Sequence, residues 1–514
     1  MDRRKFLKIG AFAAAGLAGL ATCLNKLLAP TPSPITDREL PNLLIIHTDE
    51  HNFRTLGCYR DTLPPEQAFM WGVGNSVETP NIDSLAVNGA LCTKFYASTP
   101  VCSPSRAAFV TGKYPQNTPV VTNEIPMRDD MVTFASILQK QGYRTGYAGK
   151  WHLDGSGRPQ WAPKRKFGFE DNRFMFNRGH WKQLEDSFLG PRVKARKDDK
   201  PTYSVEGADA KSYTTDWLAD KTIDFIQENK DRPFCYMVSI PDPHDPDTVR
   251  PPYDTMYSQY RFQLPRTIGV RPEDAPRWAK PTTDNNDNLD KYYGMVKCID
   301  DNVGRILGVL KENGLTDNTI VVFTSDHGDL RGEHGRQNKG NPFEASAKIP
   351  FLLQFSGKVK PGTVVEETLG CVDFLPTILS LMGIETAGTE EGRDASEFFT
   401  GMPPTDWNDI TFMRGIGNLN WVAAVTKRYK FILSPEEVPW LIDMLRDPDE
   451  LINFCSNPDY RTVIHRLATQ LAAYGEKYKD PSLTNSKMQR DLKWATGGFA
   501  VYDNPVGVET AVNV

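Results

Sequence analysis

The amino-acid sequence predicts an α/β fold: a large, mostly parallel sheet flanked by helices, with a smaller C-terminal α+β domain carrying a short antiparallel sheet. Three observations lead there. Continuous apolar runs at residues 42–48, 234–240 and 319–325 suit strands buried on both faces, as in a parallel sheet covered by helices. Amphipathic stretches separate them, with Met295, Ile299, Val303, Ile306 and Leu310 on one helical stripe that stops at Asn313-Gly314. From about Thr405 the texture changes to short strands, Trp421 to Thr426, Tyr429 to Leu433 and Trp440 to Asp443, then a helical pattern from Tyr460 to Tyr478.

A chain of 514 residues can hold one large domain and a smaller one. Its net charge of -5 and pI near 6.0, with no local basic run, give no electrostatic case for nucleic-acid binding. The eight cysteines lack the repeated short spacing of a zinc module or a disulfide framework, and Cys235, Cys298 and Cys371 read as core thiols. Arg3-Arg4-Lys5 precedes an Ala/Gly/Leu run from Ile9 to Ala21, the pattern of a twin-arginine-type export signal rather than a membrane anchor. The expected organisation is therefore an export signal at 1–29, a Pro-rich linker at 30–41, the large domain at 42–404, the small subdomain at 405–480 and a tail at 481–514. Cys23 is a lipidation candidate, although the threonine before it fits a lipobox poorly. Export machinery is an expected partner, a membrane only if Cys23 is lipidated, and the expected location is the periplasm or the bacterial cell surface.

The first run ends in Asp49-Glu50. Ligands of open parallel sheets bind at the carboxyl ends of strands, so this pair is a candidate site as well as a candidate solvated turn. Thr79 to Gly89 offers an N-cap, a proline at the first helical position and a terminal glycine. Cys102 to Lys113 reads as a short helix with Pro104 in its first turn and Gly112 at its end, which puts Cys102 at the positive pole, where a thiolate, an oxyanion or a bound anion is favoured. Arg106 lies one turn on. Met131 to Gln141 is a helix closed by Gly142, leading through Tyr143 to Gly149 into Lys150-Trp151-His152, where Lys150 and His152 share one side of an extended backbone. Residues 155–211 show no period and are expected to be long loops over the site. The second run stops at Pro241-Asp242-Pro243-His244-Asp245-Pro246, and the third at Asp326-His327-Gly328. Lys339 and Glu344 follow; Arg331, Glu333 and His334 lie between, candidates to touch substrate or members of a solvated charged loop.

A lone cysteine is commonly a buried thiol, but the spacing around Cys102 argues for more. Three residues separate Cys102 from Arg106, which excludes the cysteine-phosphatase loop with its five. Cys102-Ser103-Pro104-Ser105-Arg106, with Val110-Thr111-Gly112-Lys113, instead resembles the signature of the type I, formylglycine-dependent sulfatases of the alkaline phosphatase superfamily. Thr79 to Gly89, Gly149-Lys150-Trp151-His152-Leu153, Pro243-His244-Asp245-Pro246 and Asp447-Pro448-Asp449-Glu450 are similar to further segments of that family, so the resemblance spans roughly residues 42–455.

Acids gathered at one sheet edge need a cation, since like charges about 4 Å apart repel by roughly 4 kcal/mol at an effective dielectric near 20. Oxygen donors favour calcium or magnesium over zinc. The resemblance implies calcium, with Asp49, Glu50, Asp326, His327 and formylglycine made from Cys102 as its shell; Glu50 stands where many relatives have a second aspartate. It also implies sulfate-ester hydrolysis through a covalent sulfate ester on residue 102. In that scheme Arg106, Lys150 and Lys339 neutralise the sulfate oxygens, His244 protonates the leaving alcohol and His152 takes a proton from the hydrated aldehyde, although the residues would equally allow the two histidines to exchange roles. A sulfated carbohydrate is the expected substrate, and a formylglycine maturation enzyme an expected partner. Two alternatives stand beside this: a phosphate or phosphonate monoester hydrolase of the same superfamily, and a secreted, non-catalytic binding protein.

Overall fold

The computed structural model describes residues 40–270, 276–283, 285, 288–417 and 420–497. The expected export signal with Cys23, the linker up to residue 39 and the end of the tail lie outside the described residues.

Eight strands form the main sheet: β1 (Asn42–Asp49), β2 (Ala90–Cys92), β3 (Arg144–Lys150), β4 (Asp171–Phe176), β5 (Phe234–Pro243), β6 (Thr319–Ser325), β7 (Phe351–Gln354) and β8 (Thr363–Val365), in the spatial order β8-β2-β7-β6-β1-β5-β3-β4. The three apolar runs of the sequence are the three central strands. β1 lies between β5 and β6, parallel to both, with Ile45 opposite Met237 on one side and Val322 on the other. β7 runs antiparallel to β6 and β2, so the sheet is mixed but mostly parallel. Every residue of β1, β5 and β6 is buried, which is why these strands read as unbroken apolar runs rather than alternating ones.

Helices Thr214–Asn229 and Leu289–Glu312 cover one face of the sheet, where Phe225, Ile226, Ile299, Val303 and Ile306 meet Leu44, Ile46, Val238 and Phe323. The short helix Pro80–Val87 joins them. Its ends differ from expectation. Thr79 makes no capping bond; its hydroxyl donates to Asp83 Oδ2 at 3.1 Å and accepts from the Gly57 amide at 3.0 Å. Asn88 closes the helix, while Gly89 is required by packing, because a Cβ there would stand 2.3 Å from the Leu353 carbonyl oxygen. The helix expected from Met131 starts at Phe134, since Thr133 and Ser136 form a reciprocal capping box.

Residues 155–211 are not all loop. They contain β4, the edge of the main sheet, and two small hairpins, Leu184–Ser187 with Gly190–Val193 and Arg196–Lys197 with Lys200–Pro201. The C-terminal sheet is antiparallel, in the order Thr411–Arg414, Val422–Val425, Tyr429–Leu433, Trp440–Asp443. It packs on the main body through Tyr96, Trp278, Phe343, Trp421 and Trp440. Helix Arg461–Tyr478 follows as expected, and the tail holds a further helix, Ser486–Thr496, capped by Asn485.

Candidate active site

Parallel strands deliver their carboxyl ends to one edge, and the sequence supplies a reactive group at each: Asp49 and Glu50 after β1, Lys150 at the end of β3, His244 after β5, Asp326 and His327 after β6. The helix Cys102–Thr111 points its N-terminus at that edge. Val101 enters it with extended dihedrals and Gly112, at φ 66°, closes it in the left-handed conformation.

The Cys102 thiol is 2% exposed, 3.3 Å from His327 Nε2 and 3.7 Å from both Asp49 Oδ1 and Lys150 Nζ. Burial and Asp49 push its pKa up, but Lys150, Lys339 and His327 outweigh them and hold it well below the ordinary thiol value. Asp49, Cys102, Asp326 and His327 can each aim a ligand atom so that all lie within 4.8 Å of one another. The donor chemistry fits a cation. His327 Nδ1 donates to the Gly328 carbonyl at 3.0 Å, which turns Nε2 toward the cluster, where a bound cation would take its lone pair. Burial and Asp49 raise the Asp326 carboxyl, whereas on Asp49 burial is overcome by Lys150 and Arg106 and the carboxyl is held well down.

Arg106 is largely engaged within the protein. Its Nε donates to Asp326 Oδ2 at 2.8 Å, one terminal nitrogen to the Lys150 carbonyl at 2.8 Å and Ser239 Oγ at 2.7 Å, and the other lies 3.3 Å from Asp49 Oδ2. It bridges the two cluster carboxylates, and the nitrogen beside Asp49 makes no hydrogen bond.

Glu50, expected in the metal shell, stands outside this quartet. Its Oε2 takes Lys339 Nζ and His244 Nε2, each at 2.9 Å, while Oε1 is buried without a hydrogen-bond partner and is the oxygen free to turn to an ion. The backbone at Glu50 is left-handed, φ 62°, and its amide donates to Asp326 Oδ1 at 3.1 Å, which ties the end of β1 to the end of β6. His244 sits between two carboxylates, Nε2 on Glu50 and Nδ1 on Asp245. Its Nε2 also lies 2.7 Å from Lys339 Nζ; burial and that ammonium oppose its protonation, but Glu50 prevails and the ring is held well above the ordinary histidine value. His152 is the opposite case: 5% exposed, both ring nitrogens without a hydrogen-bond partner, and pushed by burial down to about 4, hence a neutral acceptor. The two histidines, interchangeable in the sequence, differ in environment.

Arg331, Glu333 and His334 are buried and engaged within the protein. Arg331 grips Asp247 at 2.7 and 2.8 Å, Asp329 at 2.6 Å and the face of Tyr292; Glu333 pairs twice with Arg54 at 3.0 Å; His334 stacks on Phe343 with centroids 3.7 Å apart. Missing from the expected set was His180. Its Nε2 lies 2.7 Å from Lys150 Nζ and 3.7 Å from Asp49 Oδ2, and its ring stacks on His244. A lone histidine in a stretch without periodicity carries no pattern; the signal available was Gly179 beside it, at φ 117°, marking a constrained turn.

The family model Sulfatase matches residues 41–384, well over half of the chain. The chain belongs to the sulfatase family. A second model, N-sulphoglucosamine sulphohydrolase, C-terminal, matches residues 332–477. An ulvan-active sulfatase of Formosa agariphila is 30% identical over 456 residues, 85% of this chain and 82% of the relative. An N-acetylglucosamine-6-O-sulfatase of Bacteroides thetaiotaomicron is 25% identical, covering 90% of this chain and 89% of that one. Among solved structures, the yidJ protein of Bacteroides fragilis superposes with a TM-score of 0.70 at 26% identity, over 87% of this sulfatase and 98% of that chain. The sulfatase is thus a sulfuric ester hydrolase on an alkaline phosphatase-like fold.

Proposed function

We propose that this sulfatase hydrolyses a sulfate ester of a carbohydrate, using formylglycine made from Cys102 and a calcium ion held by Asp49, Asp326, His327 and residue 102, with Glu50 Oε1 as a further donor. The observation that carries the reading is the Cys102 side chain at a helix N-terminus, in contact with Asp49, Lys150 and His327 at the sheet edge. A hydrated aldehyde against a divalent ion supplies an acidified hydroxyl as nucleophile.

The chain's own residues do the rest. Lys150, 3.7 Å from the residue-102 side chain, and Lys339, beside Glu50 and His244, bind sulfate oxygens. His244, charged by Glu50 and Asp245, gives its proton to the leaving alcohol. His152, neutral, accepts a proton on the residue-102 side. Arg106 fixes the acids. The sugar-directed names of two relatives support a sulfated carbohydrate. Export by the N-terminal segment, giving a periplasmic or cell-surface enzyme, and a separate maturation enzyme belong to the same proposal, on the strength of the sequence.

Mass spectrometry of the peptide carrying residue 102, from protein made with a maturation enzyme, tests the reading together with a panel of sulfated glycans and matched aryl sulfate, phosphate and phosphonate. Thiol replaced by aldehyde and turnover highest on sulfate is the expected result. An intact thiol in an active preparation, or phosphorus esters turned over faster than sulfate, would overturn it; no turnover at all would favour the binding protein.

A further inference from the structure

We propose that His180 is a positioning residue of this active site, holding Lys150 through its Nε2 and His244 through the face of its ring. The proposal rests on the sulfatase reading and extends it to a residue from outside the sheet-edge motifs. An ammonium has donors and no acceptor, so at 2.7 Å from Lys150 Nζ the His180 Nε2 carries the lone pair and the ring proton sits on Nδ1. Lys150 is thereby strung between two acceptors, Asp49 on the cluster side and His180 on the other. Lys150 already touches Asp49, so what the second acceptor fixes is the direction in which the amine points about that contact.

The same imidazole lies flat against His244, centroids 3.5 Å apart and planes 14° from parallel. His244 has partners along the edge of its ring, the Asp245 carbonyl 2.9 Å from Nδ1 and Lys339 Nζ 2.7 Å from Nε2, with the Glu50 and Asp245 carboxylates beside the same nitrogens, but edge contacts do little to stop the ring tilting; a stacked neighbour does. The loop that presents His180 is itself fixed: a Cβ at Gly179 would stand 2.3 Å from the Trp181 ring, and Trp181, 5% exposed, donates its indole proton to the Arg178 carbonyl at 3.0 Å. One side chain therefore sets the separation between a sulfate-binding amine at the end of β3 and a proton donor after β5, a distance on which reaction geometry depends steeply.

Two substitutions separate the two contacts. H180F keeps a flat ring for His244 and offers Lys150 no acceptor; H180Q keeps an acceptor oxygen and removes the ring. Mature wild type and variants are compared by calorimetric binding of inorganic sulfate and by kcat and KM on an aryl sulfate. H180F is expected to weaken sulfate binding about tenfold, and H180Q to bind sulfate within about threefold of wild type while losing about tenfold in kcat. Either variant matching wild type within about twofold in both readouts, or both variants losing binding and kcat in equal measure, overturns the proposal. Should H180F not fold, an unchanged kcat for H180Q overturns it. A wild type that binds sulfate but cleaves no sulfate ester sinks the sulfatase reading instead, and the calorimetric comparison still decides the Lys150 contact.

Discussion

Arg106 is 1% exposed, and its guanidinium joins Asp49 of β1, Ser239 of β5 and Asp326 just after β6 to the Lys150 carbonyl of β3, so most of its contacts serve the acids. Two buried carboxylates facing one cluster repel, and a planar fork that reaches both fixes their spacing in a way a lysine cannot. If the site holds calcium as proposed, R106K is expected to lower kcat about a hundredfold with KM changed far less, and to lose the rise in melting temperature that added calcium should then give the wild type. A variant with normal calcium-induced stabilisation would show that Arg106 acts on substrate after all. Lys339 and Glu50 form the other pole of the site. There Oε2 of the acid meets both Lys339 and His244, while its Oε1 has no hydrogen-bond partner.

At the scale of the element, the helix Cys102–Thr111 must end where Gly112 turns, because only then does its N-terminus meet the sheet edge. Gly112 stands at φ 66°, and a Cβ there would meet Glu390 Cβ at 3.0 Å and Leu375 Cβ at 3.2 Å. G112A is expected to cost about 1–3 kcal/mol, read as a lower midpoint in urea with an unchanged slope; an unchanged midpoint would mean that the helix end tolerates the strain. This helix was legible in the sequence because both its ends carry local chemistry, Pro104 and Gly112. The central strands were legible because burial on both faces leaves a continuous apolar run. β4 was not: as an edge strand with one neighbour it reads Asp-Asn-Arg-Phe-Met-Phe, with polar and apolar residues mixed. Nor could the roles of Arg331 and Glu333 be read, since Asp247 and Arg54 lie far away in the chain and only tertiary packing brings them together. The same holds for Arg106, whose motif was visible while its partners were not.

Across the whole molecule, the small C-terminal sheet reaches into the site through a buried charge network. Lys430 Nζ lies 2.8 Å from Glu344 Oε1, 2.7 Å from Glu450 Oε1 and 2.8 Å from the Pro342 carbonyl, Glu450 Oε2 accepts the Glu344 amide at 2.7 Å, and Trp421 donates to the Gly340 carbonyl at 3.1 Å. The backbone just after Lys339 is thus held from the C-terminal side, which accounts for the Asp-Pro-x-Glu turn that ends in Glu450. K430M leaves two buried carboxylates with fewer partners and is expected to cost about 3–5 kcal/mol in urea unfolding. At the opposite side of Glu344 lies Lys348, 2.9 Å away and 5% exposed. Burial pushes its ammonium from 10.5 down to about 8, against the pull of Glu344. Since the folded value is the lower one, the unfolded chain binds more protons between pH 8 and 10.5, and this lysine's contribution to stability rises with pH across that window and is flat below it. The difference in unfolding free energy between wild type and K348M, measured by urea titration at pH 7, 8, 9 and 10, is therefore expected to stay constant to about pH 8 and then shift in favour of the wild type. A difference that does not move with pH would mean that Glu344 holds Lys348 fully charged in the fold and that the network is paired throughout.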